Sequence, residues 1–174
     1  MGWNRMHGKH ILYVVMSVVL IGGCTVSYKL NSASIDYTVV SSVSVLDFPN
    51  QAPMVYPPLS QVLTERMKDI YTTKTRLKAV QTNGDLNIEG EITGYDLTPM
   101  AVKEDAWASE TKLTITIRVR YTNKTNPDKD FEQTFSAYRE FPATRMLTDV
   151  QDQLCTEIVE ELTDLVFNAT VADW

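Results

Sequence analysis

Histidine is nearly missing from this 174-residue sequence: the two present, His7 and His10, both fall within the first ten residues. Beyond them no imidazole is available to act as a general base, relay a proton or ligate a metal. That removes most familiar acid–base, nucleophilic and zinc-dependent mechanisms from the body of the chain. Cysteine is equally scarce. Cys24 and Cys155 alone build neither a thiolate metal site nor a disulfide framework. After residue 23 only Gly84, Gly90 and Gly94 remain, and they never gather into a loop that cradles phosphates ahead of a helix. The chain also lacks a basic excess. Its formal net charge of −6 is that of no general nucleic-acid binder. Internal repeats and low-complexity tracts are absent too, so nothing points to a solenoid or a linker-joined second domain.

What is present begins with a leader pattern. Arg5 and Lys9 precede an apolar run from Ile11 to Ile21 broken only by Ser17, and the run closes on Gly22, Gly23 and Cys24. Charge, apolar segment, small pair and cysteine in that order form a lipobox-like signal peptide, with cleavage expected before Cys24 and a lipid expected on its thiol. The competing reading is an uncleaved anchor, since no charge interrupts residues 11–28 and about 18 apolar residues is the lower limit for a spanning helix. Gly22, Gly23 and Ser27 weaken that reading. Residues 1–23 are therefore expected to be a lipoprotein signal peptide and 24–34 a small, polar tether to a membrane. Residues 35–174 are expected to form a single domain. Removing the leader takes Arg5 and Lys9 away and leaves a net charge of −8. With Cys24 acylated, Cys155 has no partner, and stability must come from the core.

Residues 35–48, rich in Val, Ile, Tyr and Ser, predict a first strand. Pro49, Pro53, Pro57 and Pro58 exclude regular structure over about 49–58, although Pro58 suits the first turn of a helix. Leu59, Val62, Leu63, Met67, Ile70 and Tyr71 recur in steps of three and four, predicting an amphipathic helix. Asn83-Gly84-Asp85 marks a turn, and Leu86, Ile88 and Ile92 a second strand, bent or bulged near Gly90 or Gly94. A long loop, 98–110, holds Met100 and Trp107. Leu113, Ile115, Ile117, Val119 and Tyr121 then alternate strictly with polar residues, which means a strand with one buried face. A turn over 123–129 leads to a fourth strand, from Phe131 to about Phe141. Leu147, Val150, Leu154, Ile158, Leu162, Leu165 and Val166 make the apolar stripe of a long last helix, acidic outside. Thr148 with Gln151 is a candidate capping box, and Thr144 an equal candidate start. The expected fold is α+β, a two-layer sandwich in the order β-α-β-β-β-α. Its four-stranded, mostly antiparallel sheet is covered on one face by two helices.

Few residues in this frame are candidates for chemistry. Glu89 and Glu91 share a strand face at a spacing compatible with an acid/base pair, but the same face of the next strand presents Arg118 and Arg120, and cross-strand ion pairs are the simpler expectation. Cys155 falls on the flank of the last helix's apolar stripe and reads as a buried structural thiol. The row Lys112, Arg118 and Arg120 is the cationic feature best placed to hold phosphates of a lipid head group. Against it, Glu132 and Glu140 are expected to face Arg120 and Lys112 across the 122–130 turn. The Asn-Lys-Thr at Asn123 and Asn-Ala-Thr at Asn168 match a glycosylation pattern that carries no weight in a bacterial lipoprotein.

Several segments together resemble a known family: Cys24-Thr-Val-Ser-Tyr-Lys29, Ala33-Ser-Ile-Asp-Tyr37, Asp47-Phe-Pro-Asn50, Gly84-Asp-Leu-Asn-Ile-Glu-Gly-Glu-Ile-Thr-Gly-Tyr-Asp96 and Leu147-Thr-Asp-Val-Gln-Asp152. With the leader and the element order, they make the chain similar to the LptE-like lipoproteins of lipopolysaccharide assembly over nearly all of the mature region. The resemblance implies an outer-membrane lipoprotein on the periplasmic face, held in the inner leaflet through its lipid. It also implies a non-enzymatic plug and assembly factor for the LptD β-barrel, in contact with lipopolysaccharide and needing no cofactor. Thr25, rather than Asp, after Cys24 fits outer-membrane retention. No family lipopolysaccharide contact maps onto a particular residue here, so Lys112, Arg118 and Arg120 rest on their chemistry alone. Two other functions compete. One is a periplasm-facing module that binds an apolar ligand or another envelope protein, using Met54, Val55, Tyr56, Met100 and Trp107. The other is an enzyme built on exposed carboxylates.

Overall fold

The computed structural model describes residues 35–100 and 109–171. The leader, Cys24, the tether and Trp107 lie outside the described residues. Within them the element order is β1 (Ser42–Val45), α1 (Pro58–Lys74), β2 (Lys78–Val80), β3 (Leu86–Pro99), β4 (Glu110–Asn123), a 3-10 turn (Pro127–Lys129), β5 (Phe131–Pro142) and α2 (Leu147–Val171). The sheet has five strands in the order β2-β1-β3-β4-β5. The α+β class is as expected. The four-stranded, mostly antiparallel sheet is corrected to a five-stranded mixed one, because β1 runs parallel to both β2 and β3. The cause is topological: α1 carries the chain back along the sheet, so the strand that follows it starts at the same end as β1.

The extra strand, β2, spans three exposed residues and so carries no alternation to betray it. Its link to β3 crosses β1. A Cβ on Gly84 would sit 2.5 Å from the Ser44 amide nitrogen, so only glycine lets the link lie this close on the strand. The Gly84 amide donates to Ser44 Oγ at 3.0 Å, and Asn83 adopts a left-handed φ of 59° to enter the crossing.

β1 is shorter than the expected 35–48. Residues 36–40 fold into a turn in which Asp36 accepts from the Val39 and Val40 amides. At the other end Phe48 leaves the sheet to pack its ring in the core. Its backbone groups are taken up by α1, where Thr64 Oγ1 accepts from the Phe48 amide at 3.0 Å and the Ser60 hydroxyl donates to its carbonyl at 2.6 Å. Gly90 makes room for that ring, since a Cβ there would meet Phe48 at 2.6 Å.

β3, β4 and β5 form the expected antiparallel meander. The register slips between Ile92 and Gly94. The bulge turns Tyr95 toward the helices, where it is 1% exposed, instead of Gly94. Leu113, Ile115, Ile117, Val119 and Tyr121 of β4 are all buried in one core with the apolar sides of both helices, each contributing about 1.5–3 kcal/mol of burial. The helices run parallel, as successive contacts show: Tyr56 just before α1 bonds Asp152, Arg66 meets Glu160 at 3.4 Å, and Tyr71 bonds Thr170 at 2.5 Å. The expected capping box is not formed. α2 begins at Leu147, and Gln151 points inward to donate to the Tyr95 hydroxyl at 2.6 Å.

Candidate functional site

Among the described residues the helices cover one sheet face and no element covers the other, and that open face carries the charged rows expected from β3 and β4. Register places Glu89 opposite Arg120 and Glu91 opposite Arg118, while β5 sets Glu132 opposite Arg120. Arg118 Nε donates to Glu91 at 3.1 Å, with a second bond from Nη2 to the same oxygen. Arg120 reaches Glu89 at 3.2 Å and Glu132 at 3.1 Å, and Arg118 lies 4.0 Å from Glu132. Two guanidinium groups and three carboxylates thus close into one network with a net charge of −1. The carboxylates raise the Arg118 pKa above its ordinary value, first through the hydrogen bond that Arg118 donates to Glu91 and second through the charge of Glu91. Water and salt screen each of these exposed pairs strongly, although a network holds its members in place better than isolated pairs do.

Lys112 stands apart from this network. It is opposite Glu140 in register, but its ammonium sits 5.3 Å from the Tyr138 ring centroid, a cation–π contact in place of an ion pair. Six residues further along the same strand face, Arg118 and Arg120 are committed to carboxylates. The basic row therefore divides into one cation without an ion pair among the described residues and two neutralised ones.

Three arrangements had no clear sequence signal. Arg139 occupies the helix-facing side of β5 and bridges to α2, with Nε 3.2 Å from Glu157 and Nη1 2.6 Å from Glu161. Lys74 meets Asp164 at 2.7 Å. Much of the acidic exterior of α2 is thereby stitched to β5 and α1, and is no free anionic surface. The second arrangement joins the proline segment to α2: Tyr56 donates to Asp152, which pushes the Tyr56 pKa up to about 12, and its ring lies 6.4 Å from that of Tyr95. Cys155 is buried against Tyr95, with its thiol 3.9 Å from the hydroxyl, and burial raises its pKa to about 11. That thiol stays protonated, as expected for a structural cysteine. In the third, Asp85 accepts from the amides and hydroxyls of both Ser41 and Ser42 at 2.8–3.0 Å. These bonds pull its pKa down to about 2.

Met54 and Val55 project into solvent. Five cavities among the described residues are lined by other side chains, and Trp107, which belongs to the same apolar reading, lies outside the described residues. Among the described residues no group of His, Cys, Asp and Glu is arranged to hold a metal, and no helix is long and apolar enough to cross a membrane.

A two-layer α+β domain with an open, self-neutralised sheet face is the class that this geometry defines. Residues 40–170 match LptE, described as Lipopolysaccharide-assembly, and the chain belongs to that family. No curated protein matches the sequence. Among solved structures, a DUF330-family protein from Xanthomonas campestris shares 12% identity, with 74% of this chain and 84% of that chain covered and a TM-score of 0.50, a likeness of fold. A minor lipoprotein from Acinetobacter baumannii is 13% identical, with 74% of this chain and 90% of that chain covered and a TM-score of 0.46. Rare lipoprotein B from Shewanella oneidensis is 10% identical, with 74% and 90% covered and a TM-score of 0.45.

Proposed function

We propose that this protein is an outer-membrane lipoprotein of lipopolysaccharide assembly that acts without catalysis, as a plug and assembly factor inside an LptD-type β-barrel. The observation that carries the reading is the family match over residues 40–170, which takes in every described strand and both helices, short of the last residue of α2. In this reading the leader is cleaved before Cys24, a lipid on that thiol holds the chain in the periplasmic leaflet, and residues 25–34 serve as the tether. The open sheet face suits a barrel lumen, whose wall is polar. Lys112, Arg118 and Arg120 are the proposed contacts for lipopolysaccharide phosphates. Lys112 leads, because a phosphate reaching Arg118 or Arg120 must first displace Glu89, Glu91 or Glu132.

Affinity purification of the full-length protein from detergent-solubilised outer membranes tests the partnership. A single large β-barrel is expected to co-purify in near-equal amount, and its absence would count against the assembly role. For the phosphate contact, Lys112→Ala is expected to weaken lipopolysaccharide retention several-fold, and Arg118→Ala to do so less.

A further inference from the structure

The domain has two unlike ends. At one end lie residue 35, where the described chain begins, the start of β1, the close of α1, the β2–β3 crossing, the β4–β5 turn and the last turn of α2. Contacts join them: the Arg76 guanidinium lies 5.9 Å from the Tyr37 ring centroid, the Lys124 ammonium donates to the Asn83 carbonyl at 2.6 Å, and an open cavity of about 350 Å³ is lined by Ile35, Val39, Asn126 and Val171. At the opposite end are the proline segment, the β3–β4 connection and the start of α2.

Charge follows the same division. The described residues contain twelve Lys and Arg against nineteen Asp and Glu. The first end holds five cations, Lys74, Arg76, Lys78, Lys124 and Lys129, against four acids, Asp36, Asp85, Asp128 and Asp130, so the excess of negative charge sits elsewhere. Three of these acids are also engaged by hydrogen-bond donors, Asp36 by Thr38, Asp85 by Ser41 and Ser42, and Asp130 by the Asn123 amide. Arg76, Lys78 and Lys124 are exposed and have no ion pair among the described residues. Beside them Tyr37 and Val39 are 40% and 57% exposed. An aromatic ring, an aliphatic side chain and exposed cations on one rim form the combination that rests at a lipid head-group layer.

We propose that, before a barrel encloses the domain, this end lies against the head groups of the leaflet that holds the Cys24 lipid, with Tyr37 and Val39 in the interface and Arg76 and Lys78 over anionic lipid. The inference rests on the reading of Cys24 as the lipidated residue. Eleven chain steps separate Cys24 from Ile35, a reach of about 35–40 Å at full extension. The lipid thus keeps this end at high local concentration beside the bilayer, and weak contacts suffice to orient it. The acidic remainder, with Met54, Val55 and Met146, points away from that leaflet.

The test uses the full-length lipoprotein in vesicles of phosphatidylethanolamine and phosphatidylglycerol, with a nitroxide placed at Val39→Cys or, separately, at Val55→Cys. Cys155 is buried and stays unlabelled. The label at 39 is expected to gain oxygen collisions and lose collisions with a water-soluble nickel chelate several-fold on vesicle binding, while the label at 55 does not change. In Arg76→Glu with Lys78→Glu the response at 39 should shrink at least threefold with the melting curve retained. Equal responses at 39 and 55, a response at 55 alone, or a response at 39 indifferent to charge reversal would overturn the pose. If the protein does not float with the vesicles, the lipid on Cys24 fails and the pose goes with it. Flotation without a response at 39 sinks the pose alone.

Discussion

At the scale of single residues, Asp85 shows how much of this fold depends on a polar side chain at a crossing point. Its carboxylate ties the start of β1 to the start of β3 through Ser41 and Ser42. Its pKa is depressed in the folded state, to about 2 from an ordinary value near 4. The stabilisation is therefore complete above the unfolded pKa and is lost as pH falls from about 4 toward 2. Asp85→Ala is expected to cost about 1–3 kcal/mol in urea melts at pH 7, with the gap from the parent protein narrowing at pH 3. A gap that stays constant would show that the carboxylate charge is not what matters. Gly90 offers a second check. A side chain there meets both the Arg118 carbonyl at 2.4 Å and the Phe48 ring at 2.6 Å, so Gly90→Ala should lower stability by about 1–3 kcal/mol through overpacking, read from the shift in melting temperature.

Secondary-structure elements were legible in the sequence wherever one face is buried along a regular period. The alternation in β4 and the three-and-four spacing in α1 and α2 each reflect a single apolar face, and all three elements are present with nearly the expected bounds. β2 was illegible, because its three residues bury nothing. The parallel placement of β1 was equally hidden, since it depends on where α1 delivers the chain, and no local pattern records that. Of the candidate site, the opposition of Glu89 and Glu91 to Arg120 and Arg118 was readable, because register follows from alternation and a short turn. The role of Arg139 was not, because a cation on the inner side of an edge strand reads as an error in the pattern until α2 supplies Glu157 and Glu161. An inward charge of this kind also guards the free edge of β5 against pairing with another strand. Arg139→Leu is accordingly expected to change stability by less than about 1 kcal/mol while increasing self-association in analytical ultracentrifugation. Unaltered monomer behaviour would remove the edge-guarding role.

At the scale of the molecule, the described residues form a sheet with one face committed to helices and the other left polar, and their negative charge is concentrated away from the end where residue 35 lies. Membership of the lipopolysaccharide-assembly family supports the proposed role in assembly. Whether the chain serves assembly of a barrel that delivers lipopolysaccharide is decided by depleting the protein in its own cell and following the folded LptD-type barrel together with surface lipopolysaccharide. Both are expected to fall together by several-fold before growth stops. Unchanged levels of both after depletion would contradict the assembly role.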